Sequence, residues 1–280
     1  MRIGLIDVGG GMRDIFGAGV YDYCVENGIK FDYAVGISAG AMNLTSFLAG
    51  EKGVLYRCYT EYAFDKKYMS FANFVKNHAY VNVEWMMHTA RDTKGEIPLD
   101  FDRMLHCGTE FEIVATDAYT GSPIYLNAED MQPQNCWCVI ASATLPVVSR
   151  PFMYDDRMYY DGGLSDPIPL QRCFEVKNCD KVVLILTRPM DYRRKSKKDR
   201  CMASLIRHRY PGGAEVLRTR AARYNQGLDL AKELAAGGNV LILAPDDIGG
   251  MSAVTRDPDM LKQLYEKGKK EAERIKDFLA

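Results

Sequence analysis

A serine at position 38 sits in the stretch Gly36-Ile37-Ser38-Ala39-Gly40, between a short apolar run and a series of small, helix-compatible residues. A nucleophilic serine placed on a tight strand-to-helix turn needs small neighbours, because the backbone closes on itself there. The helix that follows would aim its N–H groups and its positive end at the hydroxyl. The five-residue pattern recurs by chance in Gly/Ala-rich chains, so a nucleophile also requires a proton acceptor and donors for an oxyanion.

Four histidines could accept the proton: His78, His88, His106 and His208. The first three fall in a helical stretch soon after the serine, and His208 lies among arginines in LIRHRYP. None has the late, loop-borne position that a Ser–His–acid triad of the α/β-hydrolase type calls for. A carboxylate is the alternative. In YYDGGLSDPIPL, Asp161 closes a short strand and is followed by Gly162 and Gly163, which allow close approach of another backbone. A buried aspartate with a raised pKa can take a hydroxyl proton directly, although D-G-G also suits a plain hairpin turn. For the oxyanion, DVGGGMRD supplies three glycines straight after the first strand, with N–H groups left bare to converge on a negative oxygen. The same loop fails as a dinucleotide site. G-x-G-x-x-G would need a glycine at 14, where Asp14 stands and would repel a pyrophosphate.

With GGGMRD, GISAG and DGG in this order, the sequence resembles the patatin-like phospholipase family, and ASATLPVVSRPFMYDDRMYYDGG resembles that family's A-S-x-x-x-P approach to its aspartate. The resemblance covers about residues 3–170. It implies a three-layer α/β fold, with a mostly parallel central sheet, helices on both faces and a helical insertion. It also implies a Ser–Asp dyad of Ser38 and Asp161, supported by the motif glycines Gly36, Gly40, Gly162 and Gly163. The oxyanion loop would be Gly9, Gly10 and Gly11, joined by the Met12 N–H, and Arg13 fits the family's basic position. The implied reaction is acyl-ester hydrolysis of lipids through an acyl-serine, with no metal and no cofactor. Asp14 departs from the pattern, since the family usually has glycine there. A carboxylate facing the hole would oppose the developing negative charge, whereas one turned away to a cation would be harmless. Asp14 therefore keeps open a non-catalytic lipid- or acyl-binding protein on this fold, and a small-ester esterase or acyl-CoA thioesterase with the same dyad is a further alternative.

The surrounding elements follow from periodicity. Residues 3–8 read as a strand, 17–27 as a helix stopped by Gly28, 33–35 as a strand and 40–49 as a helix closed by Gly50. Residues 54–106 read as a helical insertion rich in aromatics and Met, either plain core or a lipid-contacting surface. A hairpin spans 111–117 and 123–126, a helix 134–143, and two short strands lie within 151–163 around Asp155-Asp156. Strands at 181–186 and 239–243 and helices over 201–236 and 257–278 complete a single domain over 1–280, the tail from 171 finishing the α/β fold.

Composition narrows the class. Lys+Arg number 36 against 37 Asp+Glu, which argues against a general nucleic-acid binder. The N-terminus reads as a strand rather than a signal peptide, and no apolar run approaches a membrane span, so a cytoplasmic address is expected. The eight cysteines read as reduced, mostly buried thiols without metal-ligand spacing. One local charge run stands out, RRKSKKDR over 193–200. Its Arg193, Arg194, Lys195, Lys197, Lys198 and Arg200 predict weak peripheral contact with anionic lipid, against the plainer alternative of a solvated loop.

Overall fold

A computed structural model of the chain describes residues 1–77, 79–92, 94–132 and 136–280. His78 lies outside the described residues, as do positions 134 and 135 of the helix expected over 134–143.

The first strand, β1 (Ile3–Asp7), is buried along its whole length, as are β2 (Tyr33–Ile37) and β8 (Val240–Leu243). Continuous rather than alternating burial marks a parallel sheet covered on both faces. The remaining strands are β3 (Glu110–Asp117), β4 (Pro123–Leu126), β5 (Phe152–Tyr154), β6 (Arg157–Asp161) and β7 (Lys181–Ile185). All eight form one sheet in the order β5-β6-β3-β2-β1-β7-β8, with β4 paired to β3. The pairs β3–β2, β2–β1, β1–β7 and β7–β8 are parallel. The β3–β4, β3–β6 and β5–β6 pairs are antiparallel. The β5–β6 hairpin turns at Asp155 and Asp156, both at positive φ, the conformation of a two-residue hairpin loop.

Helices α1 (Ile15–Glu26) and α2 (Ala39–Leu48) follow β1 and β2 and cover one face. The insertion comprises α3 (Val54–Thr60), α4 (Phe71–Asn77), α5 (Val83–Met86) and α6 (Phe101–Leu105), of which α3, α5 and α6 pack on that side together with the following α7 (Trp137–Ser142). The long α9 (Pro211–Ala236), preceded by α8 (Ser196–Ile206), covers the other face through Leu228 and Ala231. Finally α10 (Pro258–Ala272), continued by α11 (Arg274–Leu279), lies along α1 and returns to the first face. The result is a three-layer α/β fold with two cores, one on each side of a mostly parallel sheet. The sheet runs through the motif-bearing part and the tail alike, because the tail contributes β7 and β8.

One expectation is corrected and one open alternative is decided. The helix anticipated over 201–236 is broken at residues 207–210. Pro211 opens α9 at its first turn, where a missing N–H costs nothing. The aromatic and Met-rich insertion is mainly core. Leu55, Tyr59, Tyr62, Met69, Met86, Met87, Phe101 and Met104 are buried, whereas Phe64, Phe71 and Val75 are exposed. The buried Arg91 ties this layer to α2, donating to Ser46 Oγ at 3.1 Å and pairing with Glu51 at 2.5 Å. Among the described residues no helix is long and apolar enough to cross a membrane.

Candidate active site

Ser38 joins β2 to α2 with φ 58° and ψ −124°, a conformation a non-glycine residue adopts only when its surroundings force it. The flanking glycines are those surroundings. A Cβ on Gly36 would sit 2.7 Å from the Gly40 carbonyl oxygen, and one on Gly40 would sit 2.6 Å from the Asp7 carboxyl carbon. The turn is thus wedged between its own helix and the end of β1, which holds the strain in place. Its N–H is held as well. Ser38 N donates to Ser142 Oγ at 2.8 Å, and the Ser142 hydroxyl donates onward to the Val114 carbonyl on β3 at 2.6 Å.

Asp161 ends β6, two strands away from β2, and is 2% exposed. Its backbone is pinned from both sides: the N–H donates to the Thr144 carbonyl at 2.7 Å, and the Thr116 hydroxyl donates to its carbonyl at 2.8 Å. Its carboxylate accepts the Gly163 N–H at 2.8 Å and has the Ser38 hydroxyl as a hydrogen-bonding neighbour. Burial pushes the Asp161 pKa up, and the Arg220 charge, Ser38 and the Gly163 N–H restrain that rise. Gly162 is required by packing, since a Cβ there would come within 2.1 Å of the Val114 carbonyl oxygen. The D-G-G segment is therefore a strand end passing into a short 3-10 turn, Gly162–Leu164, rather than a simple hairpin.

Gly9, Gly10 and Gly11 all have positive φ, at 66°, 151° and 60°. Gly9 rests directly on the serine turn, where a Cβ would be 2.1 Å from the Ile37 carbonyl oxygen. The expected donor set must be revised. Gly9 N donates to Asp7 Oδ1 at 3.0 Å and Met12 N donates to the Ala253 carbonyl at 3.0 Å, so both are committed to the fold. The N–H groups of Gly10 and Gly11 are the loop's candidate donors. Arg13 follows, half-buried, and burial together with the like charge of Arg188 lowers its pKa to about 10.

Asp14 makes no ion pair among the described residues, although the Arg13 charge acts on it. It is fully buried beneath the loop, beside the equally buried Asp7. One point, the position of a Cβ on Gly17, lies 2.6 Å from Asp14 Oδ1, 2.9 Å from Asp7 Oδ2 and 3.0 Å from Asn43 Nδ2. Asn43, on α2, donates to the Asp14 carbonyl at 2.9 Å and accepts from the Tyr59 hydroxyl at 3.1 Å. Two carboxyls this close in a dry site cannot both ionise. Burial raises both. Asp7 is pushed to about 6, and Asp14, also opposed by the Asp7 charge, goes well above its ordinary value. The pair therefore holds a proton above the ordinary carboxylate range.

The described histidines make only local contacts. His88 pairs with Asp92, His106 with Asp102, and His208 lies against Arg207, all one to four residues away. Among the described residues no group of three His, Cys, Asp or Glu is placed to hold a metal ion. The eight cysteines are free thiols, six of them buried. In the basic run, Arg193 pairs with Asp229 and Arg194 makes a two-pronged contact with Asp199, while Lys195, Lys197, Lys198 and Arg200 are exposed. From Ser196 onward the run is the start of α8 rather than a loop.

Sequence reasoning did not single out Ser142, Thr116, Thr144, Asp7 or Arg220 as site residues. Ser142 and Thr144 were signalled only as part of ASATLP, and Arg220, on α9, donates to the Gly163 carbonyl at 2.7 Å without any local motif.

The family model described as patatin-like phospholipase matches residues 8–174, and a domain of unknown function, DUF6363, matches residues 210–279. The uncharacterized protein YjjU of Escherichia coli (strain K12) is 30% identical over 194 residues, covering 67% of this chain and 52% of that protein. The chain thus spans about half the length of this curated relative. Among solved structures, VipD from Legionella pneumophila is similar over 99% of this chain and 67% of its own, with a TM-score of 0.50 at 12% identity, a likeness of fold. With a family match over more than half its length, on the segment that carries the serine turn and the buried aspartate, the chain belongs to the patatin-like phospholipase family.

Proposed function

We propose that this protein is a serine lipid acyl hydrolase of the phospholipase A or lysophospholipase type, using Ser38 as nucleophile and Asp161 as base. The observation that carries this is the pairing of a strained serine with a buried, raised-pKa aspartate next to it. Ser38 Oγ attacks the ester carbonyl while Asp161 takes its proton, and the oxyanion is met by the N–H groups of Gly10 and Gly11. The carbonyl re-forms, the alcohol leaves with the proton from Asp161, and the acyl group stays on Ser38. Asp161 then draws a proton from water as it attacks the acyl-serine, and returns that proton to Ser38 Oγ as the acyl–oxygen bond breaks and the acid is released. Arg220 limits how far burial can raise the Asp161 pKa, so that the carboxylate form remains accessible.

The proposed test is labelling with a neutral fluorophosphonate. An adduct at Ser38 is expected in the folded wild type, and Ser38→Ala and Asp161→Asn should each lose most turnover while substitutions of His88, His106 and His208 should not. A large loss from one histidine with the fold intact would replace the dyad by a triad. The non-catalytic alternative rested on Asp14, and the burial of Asp14 beside Asp7 removes that motive. Small-ester or acyl-CoA cleavage by the same dyad is separated from lipid cleavage by acyl-chain-length profiling. Peripheral contact with anionic lipid belongs to Lys195, Lys197, Lys198 and Arg200. Liposome co-sedimentation unchanged after neutralising these four would remove it.

A further inference from the structure

Several arginines of this chain that leave water are paired. Arg91 pairs with Glu51, Arg172 with Glu112 and Arg194 with Asp199. Three half-buried arginines around the serine turn are not. Arg13, Arg188 and Arg220 have no ion pair among the described residues. A desolvated guanidinium without a counter-charge is costly, and neighbouring like charges add to the cost.

The three converge. Arg220 reaches from α9 to the D-G-G turn, where Nε donates to the Gly163 carbonyl at 2.7 Å. The position of a Cβ on Gly163 lies 3.1 Å from Arg220 Nη2 and 3.1 Å from Asp161 Oδ1, so this guanidinium and the base flank the same point. One turn further along α9, Tyr224 meets Tyr192 edge-on at 6.0 Å, and the Arg188 guanidinium lies 4.5 Å above the Tyr192 ring. Arg188 directly follows Thr187, whose hydroxyl donates to the Gly9 carbonyl at 2.6 Å. Arg13 Nη2 comes within 3.3 Å of the Cβ position on Gly10, which Thr187 Oγ1 approaches to 2.2 Å. The arginines thus run along one wall from the catalytic carboxylate to the oxyanion loop. Burial, and then the charge of Arg194, hold the Arg220 pKa down to about 10, and Arg13 is depressed to the same range.

We propose that Arg13, Arg188 and Arg220 form a subsite for a phosphate monoester carried by the acyl-ester substrate a few atoms from the scissile bond. Planar guanidinium forks suit this ligand, because each can take two oxygens of a phosphate in a bidentate contact. A carboxylate is saturated by a single fork. A phosphate monoester offers three outward oxygens and up to two negative charges, matching three cations. Two of the three arginines lie beyond residue 174, and Arg220 with Tyr224 lies in the segment matched to the domain of unknown function, which thereby acquires a role as the recognition wall. The placement of the phosphate next to an ester rests on Ser38 being the nucleophile, but the anion subsite itself does not use Ser38.

The test is calorimetric binding to the full chain carrying Ser38→Ala, which removes turnover. The ligands are 1-hexanoylglycerol 3-phosphate and 1-hexanoylglycerol. The phosphate ester is expected to bind at least tenfold more tightly, with inorganic phosphate competing against it. Adding Arg188→Gln should cut that preference at least tenfold. Equal affinity for the two esters, or a preference untouched by Arg188→Gln, would overturn the subsite. Should the glutamine variant unfold, Arg188→Lys carries the same comparison, with a preference between the two expected. Fluorophosphonate labelling of the wild type is read separately: absence of a Ser38 adduct removes the dyad and leaves the binding result to stand.

Discussion

Replacing both Asp7 and Asp14 with asparagine should make the protein relatively more stable as the pH rises. The two carboxyls are fully buried and both face the Cβ position of Gly17. Asp7 is raised from 3.8 to about 6, and a shift of about two units corresponds to about 3 kcal/mol at 1.36 kcal/mol per unit. An acid whose folded pKa is raised binds more protons folded than unfolded. Its contribution to stability is fully present below the unfolded value of 3.8 and is lost as the pH climbs through the folded value. Asp14 has the same sign. Between pH 4 and pH 7, therefore, Asp7 alone withdraws about 2.4 kcal/mol from the wild type, a large share of a typical domain stability of about 5–15 kcal/mol.

The asparagines preserve shape and hydrogen bonding. Asn at 7 can still accept the Gly9 N–H and donate towards residue 14, as the shared proton does now. Urea denaturation of both proteins at several pH values measures the effect, and the difference between them cancels every other titrating group. That difference should move in favour of the double variant by more than about 3 kcal/mol from pH 4 to pH 7, because Asp14 adds to the loss at Asp7, several degrees of melting temperature for a chain of this length. A constant offset from repacking is irrelevant to the slope. A flat difference, or one that moves against the double variant, would mean that both carboxylates are charged and compensated in the native state, and would refute the shared proton.

Three further outcomes follow from the same geometry. kcat/KM on a soluble ester should fall as the pH drops through the raised Asp161 pKa, because the base must be ionised, and a stopped pH profile with an acid limb no higher than that of a free carboxylate would contradict it. Ser142→Ala releases the Ser38 N–H and the Val114 carbonyl together, so kcat should drop about tenfold with KM little changed in steady-state assays. Glu112→Gln leaves Arg172 and Lys177 facing each other beside the buried Tyr33 and should cost about 3–5 kcal/mol in urea titration, without altering Ser38 labelling of the folded fraction.

The elements best read from sequence are those whose pattern is local. β1, β2, α2 and the β3–β4 hairpin appear within a residue or two of their expected bounds, because burial on both faces of a parallel sheet writes an unbroken apolar run and glycine closes the helices. The break before α9 was missed because LIRHRYP keeps helical spacing up to Pro211, and a proline at the first turn of a new helix looks the same in sequence as one that follows an old helix. The hairpin at Asp155-Asp156 was visible for the opposite reason, since two short aspartates tolerate positive φ where bulkier residues do not.

At the site, the glycines and the two proposed catalytic residues were legible because each answers a steric demand of one turn, as Gly40 does against Asp7 and Gly162 against Val114. What stayed hidden is whatever depends on one turn meeting another. Met12 could not be excluded as a donor without knowing that the Ala253 carbonyl, some 240 residues along the chain, takes its N–H. Asp14 looked hostile to an oxyanion because its neighbours in sequence are the loop and Arg13, whereas its neighbours in space are Asp7 and Asn43, which turn its charge into a shared proton. The arginine wall is the extreme case. Arg13 belongs to a motif, but Arg188 and Arg220 belong to none, and only the return of β7 and α9 to the serine turn brings together three cations that have no ion pair among the described residues. Short motifs fix how a bond is attacked, since that chemistry is confined to a few ångströms of backbone. Which molecule presents the bond is decided by long-range packing, and it is there that the C-terminal segment distinguishes this chain from its motifs.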